Sequence, residues 1–178
     1  MLGETGAMQV GRRLVTDYEA NQGRTLQSME SGWYNGLPHI ADLERRASAV
    51  AGEHPGRLSA DFASYRADGS LDRVIEMKTK QSQHTSFDLY ERQIRTAQLL
   101  PGTWWLYVPF DCATARPQLV IVSDLRPLIT EGRRVPSDDL SARRGSVGAE
   151  DRWRFFVSDM LKVGTVVPHD DPSTPTVR

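Results

Sequence analysis

Glu76, Lys78 and Lys80 alternate along and just beyond a short apolar run, Val74-Ile75-Glu76-Met77-Lys78, and Asp61 stands fifteen residues upstream of Glu76. Between the two segments lies Ala67-Asp68-Gly69-Ser70, and Asp-Gly between strand-like runs is a strong hairpin signal. With Asp68 and Gly69 as the two central turn residues, Ala67 faces Ser70 and Asp61 faces Glu76. Opposed residues share a face of a sheet, as do residues i and i+2 of one strand. Asp61, Glu76 and Lys78 are therefore expected to project together. Two carboxylates and an ammonium group converging in this way suit a divalent-metal site. Mg²⁺ takes oxygen ligands in a near-octahedral shell, from one or two carboxylates plus water and phosphate, and the Met77 carbonyl is a further candidate ligand. Such an ion polarises a phosphodiester oxygen and acidifies its water, while Lys78 positions that water or offsets developing charge. The same three residue types also form solvated ion-pair faces on antiparallel sheets. The apolar frame of Val74, Ile75 and Met77 argues against full solvation here.

The elements that must position these groups follow from periodicity and breakers. Residues 7–22 read as a helix with Gly11, Leu14, Val15 and Tyr18 on one stripe and Gly23 as its stop. Arg24 to Met29 reads as a short strand, and Ser31 to Pro38 as a loop carrying Trp33 and Tyr34. His39 to Ala51 forms a second helix, ended by Gly52 and Pro55-Gly56. Residues 57–66 and 72–80 make the hairpin. Asp88-Leu89-Tyr90-Glu91 has the form of a capping box opening a helix to about Leu99. Thr103–Val108 and Gln118–Val122 are near-continuous apolar runs, as in strands covered on both faces. Arg133 to Asp151 reads as a long polar loop, Trp153 to Leu161 as a segment packing back on the core, and the proline-bearing stretch from 163 to 178 as a disordered tail. The order predicts a mixed α/β domain: a core over 7–128, with 33–56 as an insertion, and a packing segment over 129–162.

Composition sets outer limits. Of 178 residues, 39% are apolar and 25% charged, with a net charge of −1. No global basic field announces nucleic acid, so such a partner needs a local patch. Arginine outnumbers lysine nineteen to three. Cys112 is alone, which excludes an intrachain disulfide and suggests a reducing compartment. No apolar run reaches the ~18 residues of a membrane span, and the first residues lack a signal-peptide pattern. The expectation is a cytoplasmic protein with no membrane partner.

The series Asp61, an Asp-Gly turn, Ile75-Glu76-Met77-Lys78 and then a helix around Glu91-Arg92-Gln93 resembles the PD-(D/E)XK nuclease superfamily. Within it, the strongest likeness is to the C-terminal domain of NO VEIN-type proteins. In these, a Tyr-Glu and a Gly-Arg precede a Gly-x-Asp-Ile strand and an Ile-Glu-Val-Lys strand. This chain has Tyr18-Glu19, Gly23-Arg24, Ala60-Asp61-Phe62 and Ile75-Glu76-Met77-Lys78. The resemblance implies a restriction endonuclease-like core, a central mixed β-sheet flanked by helices, and hydrolysis of phosphodiester bonds with Mg²⁺ or Mn²⁺. It implies Asp61 and Glu76 as metal ligands, Lys78 as the catalytic lysine, and Gln93 as a site residue on the following helix. Two departures stand out. Ala60 replaces the proline of the superfamily's name, and Gly11-Arg12-Arg13 stands where related sequences place a glutamate after the glycine. Glu19 is the nearby substitute carboxylate, with a structural or solvated role as the competing reading.

Other constellations carry less. The four histidines are scattered, Cys112 has no partner at zinc spacing, and no phosphate loop or nucleophile elbow occurs. Trp104 and Trp105 read as core. Lys80 and Arg95 are the candidate phosphate contacts, ahead of Arg45-Arg46 and Arg133-Arg134. The function expected is a metal-dependent nuclease acting on DNA or RNA, in restriction, defence or nucleic-acid processing, its specificity supplied by a homodimer or a larger complex. The alternative is an inactive module of the same fold that binds nucleic acid or protein.

Overall fold

Helix α1 (Glu4–Asn21) ends where the sequence predicts, with Gly23 at φ +72° and the Gly23 and Arg24 amides returning to Ala20 and Glu19. Positive φ is the usual way to close a helix on glycine. The structure, a computed structural model, describes residues 4–29, 39–51, 59–135 and 152–167. After α1 come β1 (Thr25–Ser28), α2 (Ile40–Ala51), β2 (Phe62–Tyr65) and β3 (Leu71–Met77). Next are β4 (Ser86–Tyr90), α3 (Glu91–Leu99), β5 (Trp104–Phe110) and β6 (Gln118–Val122). The chain continues through α4 (Arg126–Glu131), β7 (Arg133–Val135), β8 (Arg152–Phe156), α5 (Val157–Val163) and β9 (Thr165–Val167).

Six strands form a central sheet in the order β1-β2-β3-β5-β6-β9, with β3 and β5 parallel and the other pairs antiparallel. A parallel pair needs a crossover, and here β4 and α3 supply it. Alternation then sorts side chains by face. Phe62, Ile75, Tyr107, Leu119 and Ile121 pack with Val15 of α1 on one side. Ala63, Val74, Leu106, Val108, Val120 and Val122 meet Ile40, Leu43, Ile94, Leu128 and Met160, from the other four helices, on the opposite side. Both faces are covered, which is why β5 and β6 read as unbroken apolar runs. This is a mixed α/β fold with helices flanking a mixed sheet, as predicted. A second sheet, β4-β8-β7, stands beside it.

The hairpin reaches the predicted register by another route. The Gly69 amide bonds the Arg66 carbonyl and the Arg66 amide bonds the Ser70 carbonyl, while Gly69 sits at φ +80°. The loop is therefore three residues long with glycine in the left-handed position, a common hairpin connection, and Ala67 does not face Ser70. Asp68 accepts from the Ser70 amide and hydroxyl. Tyr65 pairs with Leu71, but a bulge between Ser64 and Tyr65 returns the ladder to Ser64↔Arg73, Ala63↔Val74 and Phe62↔Ile75. The extra turn residue and the bulge cancel, so Asp61 still arrives opposite Glu76.

Other differences have local causes. Asp88 is in β4, where Arg154 and Arg152 of β8 hold its carboxylate, so α3 starts two residues later than the capping-box pattern suggests. Its first turn is closed instead by Gln93, whose Oε1 accepts from the Tyr90 amide at 2.9 Å. Residues 39–51 are no appendage, because Ile40 and Leu43 of α2 are core residues. The polar stretch from Arg133 opens with β7, and Thr165–Val167 joins the central sheet as β9 rather than belonging to a loose tail. Trp33, Tyr34 and residues 136–151 and 168–178 lie outside the described residues.

Candidate functional site

Glu76 lies near the end of β3 on the α3 side of the sheet and is only 3% exposed. Its Oε1 accepts from Gln93 Nε2 at 2.5 Å and from Lys78 Nζ at 2.7 Å. The Lys78 side chain keeps 19% of its surface. Asp61 precedes β2 by one residue. Its amide donates to the Ile75 carbonyl at 2.9 Å, and its Oδ2 takes the Met77 amide at 2.7 Å. The strand ladder thus hands its last rung to a side chain, and this fixes the Asp61 carboxylate beside Glu76. Asp61, Glu76, Lys78 and Gln93 come together as expected, and Gln93 is held at both ends, by the Tyr90 amide and by Glu76.

The electrostatics of the pair are those of a site short of positive charge. Burial first, and then the negative charge of Asp61, push the Glu76 carboxyl up to about 7, against the opposing pull of Lys78 and Gln93. A lone ammonium group does not offset two carboxylates in a low-dielectric corner.

A cleft of about 760 Å³ opens over this corner, and Asp61, Met77, Lys78, Thr79 and Lys80 form its floor. Ala7, Met8 and Arg12 of α1 line another part, and His84, Thr85, Ser86 and Phe156 another. Close approach of α1 depends on Gly11, since a Cβ there would meet the Thr79 side chain. Thr79 Oγ1 is itself buried, with no hydrogen-bond partner among the described residues. Arg12, at the position where a carboxylate was the comparison, instead brings its guanidinium to the cleft and over the Phe62 ring at 5.7 Å. Lys80 also lines the cleft, and its charge adds a little to the Arg154 hydrogen bond that chiefly holds the Asp88 carboxyl below its usual range. Arg95 is on the exposed side of α3 and is not among the lining residues. Arg12, His84 and Phe156 escaped the sequence reading. Gly11 was the available signal for Arg12, because a glycine inside an apolar helical stripe marks a close approach. Nothing local marks Phe156.

Glu19 is not brought to this corner. It is fully buried on the α1 side of the sheet, where Arg24 Nε and Nη2, Ser64 Oγ and Tyr107 Oη all donate to it. Burial raises its pKa, but the bonds from Arg24, Ser64 and Tyr107 outweigh that and hold it below the ordinary glutamate range. Its carboxylate ties α1 to β2 and β5, the structural alternative of the sequence reading.

Among the described residues no group of three or more His, Cys, Asp or Glu side chains is placed to hold a metal ion. The donors at hand are the Asp61 and Glu76 carboxylates with the Met77 carbonyl as a backbone candidate. This sparse, all-oxygen set fits Mg²⁺ or Mn²⁺, for which water and substrate complete the shell; a cation would offset the burial that raises the Glu76 pKa first and the Asp61 repulsion that raises it second. No described helix is long and apolar enough to cross a membrane.

No curated protein and no solved structure matches the chain. The family described as Protein NO VEIN, C-terminal, matches residues 34–122, half of the chain, from five residues before His39 through β6 and with Asp61, Glu76, Lys78 and Gln93 all inside. By that match the chain belongs to the NO VEIN C-terminal family.

Proposed function

We propose that this protein is a metal-dependent nuclease of the PD-(D/E)XK type, with a restriction endonuclease-like core that hydrolyses phosphodiester bonds, in DNA before RNA. One observation carries the reading: Lys78 and Gln93 converge on buried Glu76 Oε1 while Asp61 charges the same corner from the facing strand, and Asp61 and Lys78 of this group line a cleft that Arg12 and Lys80 also line. Asp61 and Glu76, with the Met77 carbonyl, would hold Mg²⁺ or Mn²⁺. A bound ion supplies Lewis acidity at the phosphoryl oxygen and a more acidic water. The residues do the rest. Gln93 fixes the Glu76 rotamer, the Met77 amide fixes Asp61, and Lys78 stands next to the attacked phosphate, where it orients water and offsets negative charge. Lys80 and Arg12 draw the substrate backbone in. Two of the chain's three lysines are at this site in a protein that writes nineteen of its cations as arginine, which points to a need for a compact ammonium group there. A second copy or a larger complex would supply sequence preference.

A second reading, an inactive module that binds nucleic acid or protein, is favoured by Arg12: among the described lining residues, α1 offers the cleft a cation and no carboxylate. The experiment separates the two. Purified protein with Mg²⁺ or Mn²⁺ is expected to nick or degrade DNA, and EDTA to stop it. Glu76→Ala and Lys78→Ala are each expected to lower the rate by on the order of a hundredfold or more. Cleavage that survives both substitutions ends the nuclease reading. Absence of cleavage together with no Mn²⁺ binding by calorimetry, from folded protein, selects the inactive module.

A further inference from the structure

The cleft above Asp61 is not uniformly polar. Among the described residues the large apolar side chains left exposed are Met8, Phe156 and Val166, and two of these, Met8 at 45% and Phe156 at 49%, line the cleft that holds Arg12, Lys78 and Lys80. Cations alone would suit any polyanion. An exposed aromatic face beside cations suits a phosphate whose base is free to stack.

Resting on the nucleic-acid reading above, we propose that Phe156 is a base-stacking residue that makes this cleft selective for single-stranded or unpaired nucleotides over duplex. Phe156 is the last residue of β8, pairs with Ser86 of β4, and gives its amide to Asp159 Oδ2 at 3.1 Å. Its backbone is thus fixed from two sides, so a base meets a ring with little backbone freedom left to lose. Ser86 and Thr85, on the facing strand and the residue before it, line the same cleft, and the Thr85 carbonyl takes the Val157 amide. Met8 adds a soft apolar contact from α1. In a duplex both faces of each base are occupied by neighbours, so reaching Phe156 requires unstacking, whereas a single strand presents its bases without that cost. Arg12, Lys78 and Lys80 serve the backbone of the same nucleotides.

The test is fluorescence anisotropy at low salt in EDTA, so that hydrolysis cannot consume the probe. A labelled oligothymidylate is compared with a blunt two-strand duplex of equal phosphate count, for wild type, Phe156→Ala, Phe156→Leu and Phe156→Trp. Phe156 is half exposed, and thermal melts confirm that each variant is folded. Wild type is expected to bind the single strand about tenfold more tightly than the duplex. Phe156→Ala and Phe156→Leu are expected to weaken single-strand binding about fivefold or more, the lower end for one lost base stack, with duplex binding changed by less than about twofold. Phe156→Trp should retain the preference. Equal affinity for the two probes, loss of both in parallel, or binding to neither overturns the inference. The nuclease reading is scored separately. DNA cleavage by wild type together with single-strand affinity that Phe156→Ala leaves unchanged sinks the stacking role and leaves the hydrolase, whereas Phe156-dependent single-strand binding without any hydrolysis does the reverse.

Discussion

Glu76 is the residue on which site and stability pull in opposite directions. Its folded pKa of about 7 lies above its ordinary value of 4.5, through burial first and Asp61 second. A carboxyl raised in this way costs nothing below about pH 4.5, where it is protonated in both states, and destabilises the fold progressively as pH rises through 7. The shift corresponds to a penalty of up to ~3 kcal/mol above pH 8. In EDTA, Glu76→Gln is therefore expected to match wild type near pH 4.5 and to melt higher at pH 8, while losing Mn²⁺ binding. Thermal melts across that range check it, and a stability difference that does not vary with pH sinks the account. The three groups at the strand ends were legible because a period of two is a strong constraint: once Asp61 and Glu76 oppose each other, Lys78 must follow on the same face. Glu19 was legible only as a carboxylate on a helical stripe. Arg24 is five residues away, but that Ser64 and Tyr107 also reach it depends on sheet neighbours 45 and 88 residues distant in the chain.

At the scale of elements, α1 and the segment just past β3 meet through one missing side chain. A Cβ at Gly11 would lie 2.4 Å from Thr79 Oγ1 and 2.8 Å from its Cγ2. Alanine brings a helix-propensity gain of about 0.5–1 kcal/mol, but overpacking costs about 1–3 kcal/mol. Gly11→Ala should thus lower the urea midpoint on balance. Thr79→Ala removes both near atoms and breaks no hydrogen bond to the described residues, among which Oγ1 has no partner, so the double variant should recover most of the loss. A single Gly11→Ala variant as stable as wild type would falsify this tight crossing. The helix and its stop were readable from stripe and glycine. The hairpin register was also readable, although Asp68-Gly69 does not form the two-residue turn that the dipeptide signals, and a bulge at Ser64/Tyr65 restores the alignment. The start of α3 was not readable, because the Asp88 carboxylate that mimics a helix cap is claimed by Arg154 and Arg152, more than sixty residues away. Tertiary pairing overrode a local pattern.

On the scale of the whole molecule, the family match and the folding unit have different limits. Residues 34–122 include Asp61, Glu76, Lys78 and Gln93, but α1 and the chain after β6 lie outside. Without α1, the face made by Phe62, Ile75, Tyr107, Leu119 and Ile121 loses Val15 and its other cover. Without α4 and α5, the opposite face loses Leu128, Val157 and Met160, all fully buried. Tyr107 Oη and Ser64 Oγ also lose Glu19, and Arg24 goes with it. β4 loses β8, its antiparallel partner. The same missing parts carry Met8, Arg12 and Phe156, so the matched half would keep Asp61, Lys78 and Lys80 but lose the part of the cleft wall that α1 and Phe156 supply. A fragment of residues 34–122 is accordingly expected to show no cooperative thermal transition and to bind hydrophobic dyes, whereas the full chain melts cooperatively. Near-ultraviolet dichroism checks this well, because Trp104, Trp105 and Tyr107 sit in the strand between the two faces. A fragment that melts sharply, with the aromatic spectrum of the full chain, would show that α1 and the segments after β6 only decorate the core; an unfolded one makes them part of it, with the nucleotide-facing residues carried by the same elements that hold the sheet together.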